Sequence, residues 1–256
     1  MTVIEMRHFR TRLLLALCFL LTGCDLFSPD LVLRIGLPGL PAQWRESFGS
    51  YEWQLCFPAP NGGLATRSLE GALKETVLIL PKQGNLPVSA CIVLSSGLRL
   101  PPAGGVYPLD MEADNGKLQL SWENGMLAGL LLKLIAAKVD ITTLNSRRLA
   151  EEIWSRSGGD PWRLDMNGMA AALAEDFFTI YAIRLLPTCS VKVYPGAGCW
   201  FLESPWSVPR EADGAGGLEL MDLPAGRHML FAQGGGAEYL LSVTVEGEVL
   251  LLPAEP

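Results

Sequence analysis

Tyr51-Glu52-Trp53-Gln54-Leu55-Cys56-Phe57 carries a large apolar side chain at every second position. Tyr51, Trp53, Leu55 and Phe57 therefore share one face of an extended segment, while Glu52, Gln54 and Cys56 share the other, the period of a half-buried strand. Upstream, Leu31-Val32-Leu33-Arg34-Ile35 reads in the same way. Downstream, the turn-rich Pro58-Ala59-Pro60-Asn61-Gly62-Gly63 ends the strand. Two further strands, Thr76 to Leu80 and Val88 to Leu94, flank Pro81-Lys82-Gln83-Gly84-Asn85. Short strands at this turn density suit an antiparallel sandwich or barrel-like sheet, so residues 31–118 are expected to form an N-terminal β domain.

The pattern changes over residues 119–187, which read as a three-helix segment. Met126 to Ala137 (MLAGLLLKLIAA) is apolar nearly all round, as a buried helix is. At about 12 residues and with Lys133 inside it, it is short for a membrane span. A second helix is expected to start at Asn145, an N-cap residue, and to stop at Gly158-Gly159, with Arg147 and Arg148 four residues before Glu151 and Glu152 on a wet face. A third is expected from about Asp165 to Leu186, with Met169, Leu173, Phe177 and Ile180 as its stripe and Pro187 closing it.

Residues 188–256 return to β: Ser190 to Tyr194, Cys199 to Leu202, Leu218 to Met221, His228 to Ala232, Tyr239 to Val245 and Val249 to Leu252. Within them, Leu218-Glu219-Leu220-Met221-Asp222-Leu223-Pro224-Ala225-Gly226-Arg227-His228-Met229-Leu230, continuing to Val243-Thr244-Val245-Glu246-Gly247, resembles carboxypeptidase regulatory-like domains. The resemblance covers about 35 residues and implies a transthyretin-like β-sandwich, an accessory module without catalytic residues. The fold class expected for the whole chain is thus β-rich α+β, two antiparallel β-sandwich-like regions joined by three helices.

The first 23 residues read differently. Arg7, Arg10 and Arg12 precede an unbroken apolar run from Leu13 to Leu21, nine residues where a spanning helix needs about 20. Leu21-Thr22-Gly23-Cys24 follows at once and resembles the lipobox of bacterial lipoproteins. That resemblance implies export, cleavage before Cys24, and acyl chains on Cys24 that hold the chain to the extracytoplasmic face of a membrane, facing the periplasm where two membranes are present. Several acyl chains anchor stably where one is marginal. Residues 24–30 are then a tether; the six residues after Cys24 extend roughly 20 Å, which keeps the body close to the bilayer. Asp25 resembles the inner-membrane retention signal of some two-membrane bacteria.

Residues 1–23 hold three of the 20 Lys/Arg and one of the 27 Asp/Glu. The cleaved chain would carry 17 basic against 26 acidic groups, a net −9 over 233 residues. An acidic body with no basic run is a poor nucleic-acid binder and gains nothing overall from anionic lipid, which leaves the N-terminal lipid as its membrane contact. Four cysteines remain besides Cys24: Cys56, Cys91, Cys189 and Cys199. Cys56 and Cys91 both fall on the more polar parity of their strands, which makes them a candidate disulfide in an exported chain.

His228 is the one histidine left after cleavage, so a multi-histidine metal site is excluded, and no cofactor loop is present. In a strand beside Arg227, His228 reads as a surface or hydrogen-bonded imidazole. Asp110, Glu112 and Asp114 read as a solvated linker. In Cys199-Trp200-Phe201-Leu202-Glu203-Ser204-Pro205-Trp206 both strand faces carry a ring, so the strand is either covered on both sides or leaves one ring for binding. Trp200 and Trp206 are the candidate binding face. These features imply a non-catalytic envelope lipoprotein that binds an envelope protein or polysaccharide or supports envelope structure. A hydrolase of envelope polymers using paired carboxylates is the alternative.

Overall fold

Leu31, Leu33 and Ile35 are buried while Val32 and Arg34 are exposed, and this alternation makes Leu31–Gly36 the first strand, β1. The structure, a computed structural model, describes residues 31–254 apart from 60–62, 81–84, 108–114, 143, 159–160 and 176–182. After β1 come the short helix α1 (Ala42–Ser47) and strands β2 (Tyr51–Pro58), β3 (Leu64–Glu70), β4 (Glu75–Leu80), β5 (Leu86–Leu94), β6 (Ala103–Tyr107) and β7 (Asn115–Gln119). They make two sheets. One has β1 between antiparallel β4 and parallel β7; the other is antiparallel in the order β3-β2-β5-β6. The expected antiparallel sandwich therefore contains one parallel pair, because β7 reaches β1 only after the intervening strands have crossed between sheets. Leu33, Ile35, Leu78 and Leu80 meet Trp53, Leu55, Val88 and Ile92 in one cluster between them.

Strand β5 is buried on both faces, which explains its nearly unbroken apolar reading. Its second face is covered by α2 (Gly125–Ala136). Two missing side chains let the helix lie flush there. A Cβ on Gly125 would run into the Pro102 carbonyl, and one on Gly104 would stand 2.5 Å from the Ala128 Cβ. Two more helices follow, α3 (Ser146–Arg156) and α4 (Met166–Glu175), and Leu130, Leu134, Leu149, Ile153, Leu164 and Met169 form their shared core with α2. Asn145 caps α3 as expected, its side chain accepting the Arg148 N–H at 2.9 Å. The wet-face ion pair resolved on α3 joins Glu152 to Arg156 at 3.3 Å.

The third helix is shorter than the sequence suggests. Helix α4 is described as far as Glu175, and by residues 184–186 the chain is extended and pairs back: Asp165 donates to the Arg184 carbonyl and Leu186 to that of Arg163, both at 2.9 Å. Met169 is buried as its stripe requires; Phe177 and Ile180 lie outside the described residues.

The C-terminal strands are β8 (Thr188–Val193), β9 (Cys199–Leu202), β10 (Arg210–Glu211), β11 (Leu218–Pro224), β12 (Gly226–Ala232), β13 (Glu238–Val243) and β14 (Val249–Pro253). They form a five-stranded antiparallel sheet, β10-β9-β12-β13-β14, packed on the pair β11-β8. Although consecutive, β11 and β12 do not pair with each other: at Ala225 and Gly226 (φ +143°) the chain steps from one sheet to the other. The fold is β-rich α+β, with four helices among the described residues.

Strands β9 and β12 of the five-stranded sheet are also covered on both faces. Trp200, Leu230 and Leu241 pack toward β8 and β11, while Phe201, Met229 and Phe231 join the core of the N-terminal sandwich. The sequence allowed either a covered strand or a spare ring; coverage is the outcome, and the helix doing the covering is α1, which the sequence did not reveal. Trp44 is wholly buried, edge-on to Trp122 at 5.0 Å, and Phe48 closing the helix is edge-on to Phe231 at 5.0 Å. Gln43 of α1 donates to the Ser207 carbonyl at 2.9 Å, and the Ser47 hydroxyl accepts the Gly234 N–H at 3.2 Å. Because the two sandwiches share one apolar core, Phe231→Ala should cost about 3–5 kcal/mol and shift one cooperative urea transition rather than splitting it. Two separate transitions in the wild type would contradict the shared core.

Candidate binding groove

The four described cysteines are free thiols. The candidate pair Cys56 and Cys91 does share the sheet face under α2, but Cys56 stands opposite Ser89 and Cys91 opposite Gln54. They are thus diagonal neighbours, at a Cα spacing of about 7–8 Å, beyond the usual reach of a disulfide. Parity was readable from the sequence; the two-residue offset was not. Burial pushes both thiols up from their ordinary pKa, Cys91 adding to the effect at Cys56 and Arg99 opposing it at Cys91. Cys24 and the stretch holding Asp110, Glu112 and Asp114 lie outside the described residues.

The candidate face of Trp200 and Trp206 divides. Trp200 is 4% exposed, packs on Tyr239 with ring centroids 5.5 Å apart, and donates its indole N–H to the Gly196 carbonyl at 3.1 Å. It is a core residue, because its parity points it at β8 and β11. Trp206 leaves that parity after Pro205. A tight turn presents it: the Leu202 N–H donates to the Ser207 hydroxyl at 2.8 Å, and Ser207 N–H to the Ser204 carbonyl at 3.0 Å. Half-buried Trp206 stands edge-on to Trp154 of α3, itself 39% exposed, with centroids 6.5 Å apart. Trp206 and Trp162 line a hollow of about 180 Å³ whose floor includes Trp200 and Leu223.

Trp162 and Pro224 are also walls of a larger cleft of about 450 Å³, where the N-terminal sandwich, the helices and the C-terminal sandwich meet. Arg99 comes from the first, Lys133 from α2 and Arg227 from β12; Asp165 is the carboxylate in its lining. Asp165 is occupied in starting α4, accepting the Gly168 N–H at 2.9 Å. Lys133 holds the Asn167 side-chain oxygen at 2.9 Å. The groove is therefore cationic on an acidic chain, with two tryptophans at one end.

His228 lies at the inner wall of this cleft and is buried, not on the surface. Its Nδ1 is 3.1 Å from Glu203 Oε1 and its Nε2 is 2.6 Å from the Pro224 carbonyl. Both neighbours are acceptors, so the ring fits as an imidazolium donating twice. The second Glu203 oxygen accepts the Met229 N–H at 2.8 Å. Burial, the largest influence, pulls the His228 pKa down, but the Glu203 hydrogen bond and charge together with the Pro224 carbonyl outweigh it, and the net shift is upward. A ring that donates from both nitrogens has no lone pair with which to take a proton, so this arrangement positions strands β9 and β12 and does not make His228 a general base.

Elsewhere, Glu52 and Glu70 face each other directly across β2 and β3 beside an open hollow of about 490 Å³, both exposed to solvent. Among the described residues no group of three His, Cys, Asp or Glu side chains could hold a metal ion, and no helix is long and apolar enough to cross a membrane. No protein-family model, curated protein or solved structure matches the chain.

Two outcomes follow from this geometry. Trp200→Ala should destabilise by about 3–5 kcal/mol, and Trp206→Ala by much less, as read from urea midpoints. The raised His228 pKa means that its contribution is complete below an ordinary histidine's value of about 6.5 and is lost as pH rises through the higher folded value. The wild-type midpoint should therefore fall as pH rises from about 6.5 through the higher folded value, and His228→Gln should flatten that fall.

Proposed function

We propose that the chain is a membrane-anchored envelope lipoprotein, lipidated on Cys24, whose body is a non-catalytic binding module for an anionic envelope polysaccharide. The observation that carries the binding reading is the groove itself, with Trp206 and Trp162 leading into a cleft lined by Arg99, Lys133 and Arg227. Indole faces stack on sugar rings, and the cations select chains bearing carboxylate or phosphate. The reading of the anchor rests on Leu21-Thr22-Gly23-Cys24 after its apolar run. Under it, Cys24→Ala should abolish fatty-acid labelling and cleavage; a cleaved, membrane-held variant would refute the anchor.

The ligand class is tested on polysaccharide fractions from the envelope. Trp206→Ala and Arg227→Ala should each weaken binding about tenfold or more while leaving the thermal midpoint nearly unchanged. Unchanged binding in both variants, or exclusive capture of a protein by crosslinking, would displace the glycan reading. A hydrolase reading has one geometric support, the opposed carboxylates Glu52 and Glu70. Release of shorter glycans by the wild type and not by Glu52→Gln would favour it.

A further inference from the structure

The two spaces along the groove differ in their chemistry. In the larger cleft Arg99, Lys133, Arg227 and the buried His228 stand against Asp165, which makes it a place for negative charge. The charged groups lining the smaller hollow are Arg210 and Asp222, one of each sign, beside the rings of Trp162 and Trp206. They are not joined to each other. Arg210 donates to the Glu219 carbonyl at 3.3 Å, and among the described residues the Asp222 carboxylate has no hydrogen-bond or ion-pair partner. A bulge brings Asp222 here. Leu220 stands opposite Val191 and Leu223 opposite Cys189, three steps along β11 against two along β8, so β11 carries one extra residue. Strict alternation would send Asp222 into the core after Leu218 and Leu220; instead it is exposed at φ +55°, and Leu223 is buried in its place. Aspartate is among the few residues with a side chain that adopt this conformation readily. Trp162 and Pro224 border both spaces, which therefore lie side by side.

From this contrast we infer that the groove takes a polysaccharide in which neutral and acidic residues alternate, a neutral ring lying in the hollow and its acidic neighbour in the cleft. The inference rests on the glycan reading above and narrows it. A sugar hydroxyl both donates and accepts. A neutral ring can therefore use the Asp222 carboxylate as acceptor and the Arg210 guanidinium as donor while its apolar face lies on an indole. An acidic ring in the same hollow would set its own carboxylate against Asp222, a like-charge contact that disfavours a uniformly anionic chain. A uniformly neutral chain would leave Arg99, Lys133 and Arg227 without the charge-assisted hydrogen bonds they are placed to make. Asp222 is thus the specificity-determining residue at one end of the groove, as the cations are at the other.

The test measures the affinity of the full chain, in detergent, for defined glycans. Dextran is neutral throughout, polygalacturonate is acidic throughout, and in hyaluronan and unsulfated chondroitin a neutral ring alternates with a uronate. At least one alternating polymer should bind about tenfold or more tighter than either homopolymer. Asp222→Gly keeps the backbone conformation, since glycine adopts it freely, and should lose about tenfold on that polymer without weakening polygalacturonate. Asp222→Asn also suits the conformation, retains one acceptor oxygen, and should lose only about threefold. Arg227→Ala should weaken the alternating and the acidic polymers alike. Equal affinity for polygalacturonate and the alternating polymers, or an Asp222→Gly chain with unchanged preference, overturns the alternating ligand and leaves the groove reading standing. Binding of envelope polysaccharide fractions but of none of the defined glycans does the same. A wild-type chain that binds no glycan, envelope fractions included, overturns both.

Discussion

The contact between Phe48 and Phe231 is the one on which the arrangement of the molecule depends. Phe48 belongs to the N-terminal sandwich through Trp44, Trp122 and Trp53, whose rings follow one another at 5.0 and 5.9 Å. Phe231 belongs to the five-stranded sheet and stacks on Phe201 at 5.5 Å. The series joins two sandwiches that could each have closed its own core. Each such ring pair contributes about 0.5–1.5 kcal/mol beyond the area it buries. That bonus is modest singly; in a row across a junction, with the burial of Phe201 and Phe231 added, it is enough to make the junction part of the core.

A rigid junction has consequences for the groove. Arg99, Lys133 and Arg227 come from three different parts of the chain, and their spacing has meaning only if those parts keep their places. The Glu203–His228 pair acts at the same seam. A buried ion pair of this kind is weak evidence for stability, since desolvation offsets most of the attraction. Its value here is registry: His228 ties β12 to the residue after β9 and to the carbonyl of Pro224, where the chain changes sheets. An apolar pair would fill the volume without specifying which residues meet.

How far the sequence disclosed this can be traced residue by residue. Period-two and turn signals were enough for β1, β2, β4, β5 and most of the C-terminal strands, and Asn145 marked the start of α3 because a cap acts on its own neighbours. The N-terminal strands that escaped, β3, β6 and β7, lack the alternation: Leu64–Glu70 has one buried residue among its seven, and Ala103–Tyr107 is small because α2 must approach it; β10, also missed, has only two residues. Helix α1 escaped because six residues carry too little pattern, although its Trp44 is wholly buried. Trp200 and Trp206 looked alike in the sequence, and a turn after Leu202 separates them. The groove was not legible at all, since its walls are assembled by tertiary packing from residues up to about 130 positions apart.

Net charge shows the same limit from another side. It is a sum over the surface, and it governs encounters at distances longer than the spacing of individual groups. At contact what matters is which charges share a face, and here register decides. Arg34, Val77 and Lys117 are neighbours because β1 pairs antiparallel with β4 and parallel with β7. Had β4 paired with β1 one residue out of step, Ile79 and Val77 would point into the sandwich and Leu78 and Leu80 would point out. The apolar demand of the core therefore fixes the outer face as firmly as the inner one. The residues that specify this outer face, Leu31, Leu33, Leu78 and Leu80, are those buried on its other side.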